Sequence, residues 1–424
     1  MDKTIKHIKS LFYSDENSTL VQRVFWNSLY IAFFLLPIDI HYPTPFFVLA
    51  IVFGCINMFK STVERTILME NKVLLVFPLY FLVLLISLFY TDNLSDGVDL
   101  IVRSLSLLLF PIIFLFVKED ASSVRKLFDF LLYGLVCSFF MNLSTVLYDV
   151  FTTVQVETTS LWEYVTMSWR LFMNDQFSNV VSPSYVSLYI LLVLSYYLKK
   201  ELNTVWRLFC VLILFAYLFL LANEAAYYTL FVMGILLIWK VKDKSKRYLL
   251  VCLFLLGTIV FVKNPHFFHN RSRTNDTALN TQDLPISEHD RWLTWKAAIM
   301  AIEEAPLLGY GIGDAKDVLV AKYEELGVEY QNHIKHRYNA HNQFLQTWLE
   351  TGVVGIFILL FVFTWLAFYM RRSSNEFAVF LALFIALIFE SMLVRFNGIV
   401  FFSIIVPLLL KKKSILSSRI IRSV

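Results

Sequence analysis

The chain has 424 residues, 58 % of them hydrophobic and only 17 % charged, with a mean hydropathy of +0.64 and a formal net charge of +4. That balance excludes a water-soluble globular protein and predicts a membrane protein. All four cysteines, Cys55, Cys137, Cys210 and Cys252, lie inside apolar runs, which leaves the polar segments without a thiol for a disulfide or a Cys-ligated metal site.

In chain order, the opening stretch MDKTIKHIKSLFYSDENSTL has lysines but no apolar core followed by a small-residue cleavage signal, so the first span is expected to direct insertion itself. Apolar runs long enough to cross the hydrocarbon follow near 24–40, 43–59, 73–90, 98–117, 127–148, 184–198, 205–222, 225–239, 247–263, 351–370, 377–394 and 397–410. The predicted fold class is therefore all-α, a polytopic membrane protein of about twelve transmembrane helices, with 1–424 forming one integral membrane domain. The 41 phenylalanines suit its lipid-facing surfaces and interfacial belts. No period of roughly 20–50 residues repeats.

With the N-terminus in the cytoplasm, most of the 37 Lys and Arg residues fall on the inner side, among them Lys60, Lys118, Lys199, Lys240, Arg371 and Lys411. This is the distribution that the positive-inside rule expects, and it places both termini in the cytoplasm. The turn TDNLSDGVD, on the other side, is acidic and has neither Lys nor Arg. Two outer segments are too long to be simple turns, a smaller loop over about 149–183 and a large one over 264–350 between the ninth and tenth spans. The large loop holds six of the eight histidines.

Within it, RWLTWKAAIMAIEEAP places Trp292, Trp295, Ile299 and Ile302 at helical spacing and ends at Pro306, which predicts an amphipathic helix lying on the membrane or on the bundle. Arg291 opens that helix, where a cation opposes the helix dipole. It is either a surface arginine paired with Asp290 or Glu288, or a group that serves an anionic ligand. GYGIGD follows, with Gly309, Gly311 and Gly313 alternating ahead of a polar helix at about 314–326. Their spacing matches neither a dinucleotide fingerprint nor a Walker loop, and it predicts a tight turn. His333, His336 and His341 lack the further well-spaced ligands that zinc needs, so no metal site is expected. His341 begins a helix marked by Phe344, Leu345 and Trp348, which places its imidazole at the membrane surface. There it could act as a general base or be satisfied by a backbone carbonyl.

The pattern R-W-x-x-W-K-A-A, P-L-L-G-Y-G-I-G and H-N-Q-F-L-Q-x-W-L-E-x-G-x-x-G, from Arg291 to Gly355, resembles the extracytoplasmic signature of the O-antigen ligase and polymerase superfamily. The resemblance implies a GT-C-like glycosyltransferase. Such an enzyme moves a glycan from an undecaprenyl (polyprenyl) diphosphate donor to an acceptor at the periplasmic face of the bacterial inner membrane, with no cofactor and no nucleic acid. Carried over by position, Arg291 would hold the diphosphate and His341, followed by Asn342, would be the essential histidine. Pro306, Gly309, Gly311, Gly313, Gly352 and Gly355 would supply turns and close helix packing. Relatives often have a cation in the helix before the large loop, whereas this chain reads LLANEAAYYTL with Glu224 there. Arg271, Arg273 or Arg337 could supply the second diphosphate contact.

Arg103, Glu390 and Arg395 lie within apolar runs, where charge is costly and faces a cavity or a partner. Glu390 and Arg395 could neutralise each other or line a substrate cavity. The acceptors that the resemblance allows are lipid A core, the expected one for a ligase, a glycan end as in a polymerase, or a protein hydroxyl as in an O-oligosaccharyltransferase. A lipid-linked glycan flippase is the rival of another class. Transporters, however, tend to carry internal repeats and broken midplane helices.

Overall fold

The computed structural model describes residues 12–13, 18–60, 69–117, 122–154, 160–172, 177–197, 205–240, 243–262, 288–371 and 373–411. The regular elements among them are helices, with no strand. They run α1 (Leu20–Leu35), α2 (Thr44–Lys60), α3 (Val76–Ser87), α4 (Leu94–Phe116), α5 (Ser123–Asp149), α6 (Leu161–Leu171), α7 (Pro183–Tyr197), α8 (Val205–Leu221), α9 (Glu224–Lys240) and α10 (Lys244–Val262). The order continues with α11 (Glu288–Glu303), α12 (Ala315–Leu326), α13 (Gln331–His336), α14 (Gln343–Met370), α15 (Ser374–Phe389) and α16 (Phe396–Leu410). Every apolar run expected to span the bilayer falls on a helix. Four stretches are long and apolar enough to cross a membrane, Lys72–Tyr90, Leu94–Phe116, Ser123–Thr152 and Gln343–Met370. Several other apolar helices are shorter.

Local signals start these helices where the backbone needs them. At α1, Thr19 Oγ1 accepts from Gln22 N at 3.3 Å while Gln22 Oε1 accepts from Thr19 N at 3.2 Å, a reciprocal cap that satisfies two otherwise orphaned donors. α1 packs on α2 and α5, α4 on α16 and α3, and α7 and α14 both pack on α15. Phenylalanine fills much of the space between them. Phe33 meets Phe401 at 5.8 Å, Phe47 meets Phe396 at 5.9 Å and Phe77 meets Phe402 at 5.2 Å between ring centres. These edge and tilted contacts suit the ring quadrupole. On the outside, Leu79, Leu82 and Ile86 of α3 and Val354, Phe357 and Phe361 of α14 stay exposed. Apolar faces of that extent belong against lipid.

The large-loop helices α11 to α13 build a second, smaller core from Leu293, Ala297, Ala301, Leu319, Tyr323 and Tyr330. The amphipathic helix forms as expected, but it packs through a different face. Leu293, Ala297 and Ala301 turn inward, whereas Trp292 and Ile299 are exposed. The alanines allow α11 and α12 to approach closely, which outweighs burial of the larger side chains.

This cap is fastened to the acidic turn between α3 and α4. Asp314 accepts from the backbone N–H of Asp92 and of Asn93, each at 2.7 Å, and Gly313 N donates to Thr91 Oγ1 at 2.9 Å. The acidic turn and the large loop therefore share one end of the bundle. At the far end of α4, Lys411 Nζ donates to Val117 O and Asn57 of α2 donates to Phe116 O, so the end of α16 and its Lys411 lie there.

α14 is not one continuous rod. Gly352 adopts φ 62° and ψ −153°, which breaks it into two helical pieces. The freed carbonyls are taken by the glycine turn. Tyr310 N donates to Leu349 O at 2.8 Å, Gly311 N to Glu350 O at 3.1 Å, and Val353 N to Leu307 O at 2.9 Å. A Cβ on Gly352 would lie 2.1 Å from Leu307 O, and one on Gly309, itself at φ 75°, would lie 2.5 Å from Gly352 N. Two backbones meet here at a distance that only glycine permits. Gly309, Gly311 and Gly352 thus act as turn and packing residues rather than as a phosphate loop.

Candidate functional site

The short helix piece that opens α14 carries the amide-rich sequence NAHNQFLQ, and most of its polar groups are structural. Asn342 caps the helix, its Oδ1 accepting from Phe344 N at 2.9 Å and Leu345 N at 3.1 Å. Gln346 takes Ala340 N at 3.0 Å and donates to Glu350 at 2.7 Å. Gln343 Oε1 accepts from Leu393 N at 2.7 Å, and its amide donates to Thr347, whose hydroxyl also meets Tyr80. The amides therefore pin the loop to the bundle.

His341 is held by the same frame. Its backbone is left-handed at φ 41°, which a non-glycine residue adopts only at a cost of about 1–3 kcal/mol unless its surroundings enforce it. Here Asn339 Oδ1 accepts from His341 N at 3.0 Å, Trp295 Nε1 donates to His341 O at 3.2 Å, and Tyr338 meets the ring edge-on at 5.7 Å. Nδ1 lies 3.1 Å and 3.2 Å from the two oxygens of Glu390, in a contact where both side chains are largely buried.

Arg291 comes from the first turn of α11. Its Nη1 donates to Glu224 Oε2 at 2.8 Å, with side chains 12 % and 16 % exposed. Asn223 fixes the start of α9 by accepting from Ala226 N at 3.1 Å and donating to Ser184 of α7 at 3.1 Å. Glu224 then sits in the first helical turn, where a negative charge is favoured. The carboxylate that departs from the superfamily pattern is thus a partner of Arg291, in a largely buried pair. The Arg291 Nε is buried with no hydrogen-bond partner among the described residues.

Arg291 and His341 converge. Glu390 bonds His341 and lies within electrostatic reach of both Arg291 and Arg395. Arg395 is exposed just before α16, with Tyr185 of α7 beside it. A cleft between α7, α9 and α15 is lined by Ser184, Asn223, Arg291 and Glu390 and by Leu188 and Leu191. Ser187 and Thr229 line it as well, so polar and apolar groups mix along this narrow cleft.

The remaining sequence candidates lie apart. Arg103 pairs with Asp99 on the exposed face of α4. Arg337 pairs with Asp317 on the outside of the cap. Arg271 and Arg273 lie outside the described residues. His333 packs among Tyr323, Tyr330 and Tyr338, and His336 stacks on Tyr338. Sequence reasoning did not single out Tyr185 or Asn223, and it read Trp295 only as part of an apolar stripe. Only Asn223 carried a readable signal, as a capping residue directly before a predicted helix.

A family model described as O-Antigen ligase matches residues 208–360. That stretch is similar to the O-antigen ligase superfamily. An uncharacterized protein of Haemophilus influenzae is 25 % identical over 154 residues, covering 34 % of this chain and 37 % of its own length. The chain thus matches little more than a third of that relative. With the apolar helices, this similarity marks a multi-pass membrane protein. The matched stretch holds Glu224, Arg291 and His341. Tyr185, Glu390 and Arg395, the other side of the cleft, lie beyond it.

Proposed function

We propose that this protein is an O-antigen ligase-type glycosyltransferase that moves a glycan from an undecaprenyl diphosphate carrier to an acceptor hydroxyl, with lipid A core as the acceptor. The observation that carries the reading is the meeting of Arg291 and His341 around Glu390 beside a narrow cleft. A polyprenyl carrier keeps its tail in lipid and its diphosphate at headgroup depth, so its catalyst needs a cation and a base at the boundary of the two.

The acceptor O–H gives its proton to His341 Nε2 as its oxygen bonds the anomeric carbon. The carbon–oxygen bond to the diphosphate breaks, and its electron pair leaves with the phosphate. Arg291 offsets the charge that develops there. Attack opposite the leaving group inverts the anomeric centre in a single displacement. The acidic turn shares the cap's end of the bundle and Lys411 lies at the other, which supports a periplasmic site and cytoplasmic termini in the inner membrane.

The test uses purified protein in vesicles, supplied with an undecaprenyl diphosphate-linked oligosaccharide and lipid A core, with products read by mass spectrometry. Transfer is expected, and His341→Ala and Arg291→Ala should each lower it on the order of a hundredfold or more. Wild-type transfer by both folded variants would overturn the assignment. So would passage of the uncleaved carrier across the bilayer, which is what a flippase does.

A further inference from the structure

We infer that Glu390 is a positioning residue for the proposed transfer, holding the His341 ring by its Nδ1 so that Nε2 faces outward as the proton acceptor. This rests on the reading of His341 as the base.

The geometry carries it. Both carboxylate oxygens of Glu390 lie within 3.2 Å of Nδ1, and Oε1 also takes Ser391 N at 3.2 Å, so the carboxylate is itself anchored. The segment that presents Glu390 is tied to the helix start that presents His341 through Gln343 Oε1, which accepts from Leu393 N at 2.7 Å. The two residues are therefore fixed in one frame. Trp295 and Asn339 occupy the histidine's backbone groups, leaving Glu390 to orient the ring. A carboxylate acceptor selects the Nδ1–H tautomer, and the lone pair then lies on Nε2. A free imidazole favours the other tautomer, with its proton on Nε2 and no basic site facing outward.

Alternative pairings of Glu390 account for less. Arg395 and Arg291 are electrostatic neighbours of the carboxylate, and Arg291 has its own partner in Glu224. The charged and titratable groups that face the dyad are thus Arg291 from α11, Arg395 from the segment after α15, Tyr185 from α7 and, through Arg291, Glu224 from α9.

The experiment reads the tautomer directly, apart from turnover. Full-length protein labelled with ¹⁵N-histidine in lipid nanodiscs is compared with its Glu390→Met and Glu390→Asp variants, at a pH where His341 is neutral and with His341→Gln to assign the signal. Wild type and Glu390→Asp should show the Nδ1–H form, and Glu390→Met should shift His341 to the Nε2–H form while melting as a folded protein. A wild type that already holds the Nε2–H form, or a folded Glu390→Met that keeps Nδ1–H, would overturn the inference. In the vesicle assay Glu390→Met should lower transfer on the order of a hundredfold, with partial recovery in Glu390→Asp. If the tautomer shifts while transfer stays unchanged, Glu390 orients the ring but His341 is not the base, so the two readings fail separately.

Discussion

Arg337 and His341 lie four residues apart in one loop, both left-handed at φ 47° and 41°, and each faces a carboxylate. Their surroundings differ. Arg337 meets Asp317 on the outside of the cap, with side chains 47 % and 41 % exposed, whereas His341 meets Glu390 in a contact largely closed to solvent. Water screens the first pair and leaves it worth little. The second is shielded, so its geometry can govern chemistry. In the cap, Lys322 is buried but its partners Glu304 and Glu325 are exposed, and they hold its ammonium charged to higher pH, whereas both members of the Arg291–Glu224 pair are largely buried. Residue type made Arg291, Arg337 and His341 candidates alike, and the burial of both partners separates Arg291 and His341 from Arg337.

The sharpest way to break the contrast is at Arg291. Arg291→Ala strands Glu224 in a largely buried position and should cost about 3–5 kcal/mol, measured by chemical unfolding in detergent. Replacing both partners, as Arg291→Met with Glu224→Met, should return stability to near that of the wild type while transfer stays lost. If the double variant transfers glycan, the pair is structural and the guanidinium has no part in catalysis.

Next in size is the break in α14. Gly352→Ala puts a Cβ against Leu307 O in a backbone region that is essentially glycine-only, and should destabilise by at least about 1–3 kcal/mol. Gly327, also at positive φ but with open space around its Cβ, provides the control, since its alanine variant meets backbone strain without the clash. Equal losses at the two would mean that the close approach of the turn to α14 contributes nothing. Smaller again is Asn342→Ala, which frees the N–H groups of Phe344 and Leu345 and should cost about 1 kcal/mol by thermal unfolding.

Much of this was legible in the chain. The helices follow from apolar runs, the turn from Gly309, Gly311 and Gly313, and the Arg291 and His341 site from its motif. What periodicity could not show was pairing at a distance. Glu224 stands far upstream of Arg291, and Glu390 far downstream of His341, in segments that read only as apolar helices with a stray charge. The packed face of α11 was hidden for another reason. Tryptophan and isoleucine mark the more hydrophobic stripe, but the alanines on another face permit the closer helix approach. The resemblance named Gly352 as a turn or packing residue, but the apolar run around it reads as continuous, and the break depends on the glycine turn that crosses it.

The smallest effect is the most discriminating for the second cation. Arg337→Ala removes an exposed ion pair and keeps the left-handed backbone, so stability should change by no more than about 0.5 kcal/mol and transfer should stay at the wild-type level. The reason is placement. Its guanidinium is committed to Asp317 on the outer side of α12, while the groups around Glu390 are Arg291 and Arg395. Arg395→Ala should instead weaken transfer while leaving the cap intact. If Arg337→Ala lowers transfer on the order of tenfold with no loss of stability, the second contact to the diphosphate comes from the cap, and the loop must close further over the cleft than it does here.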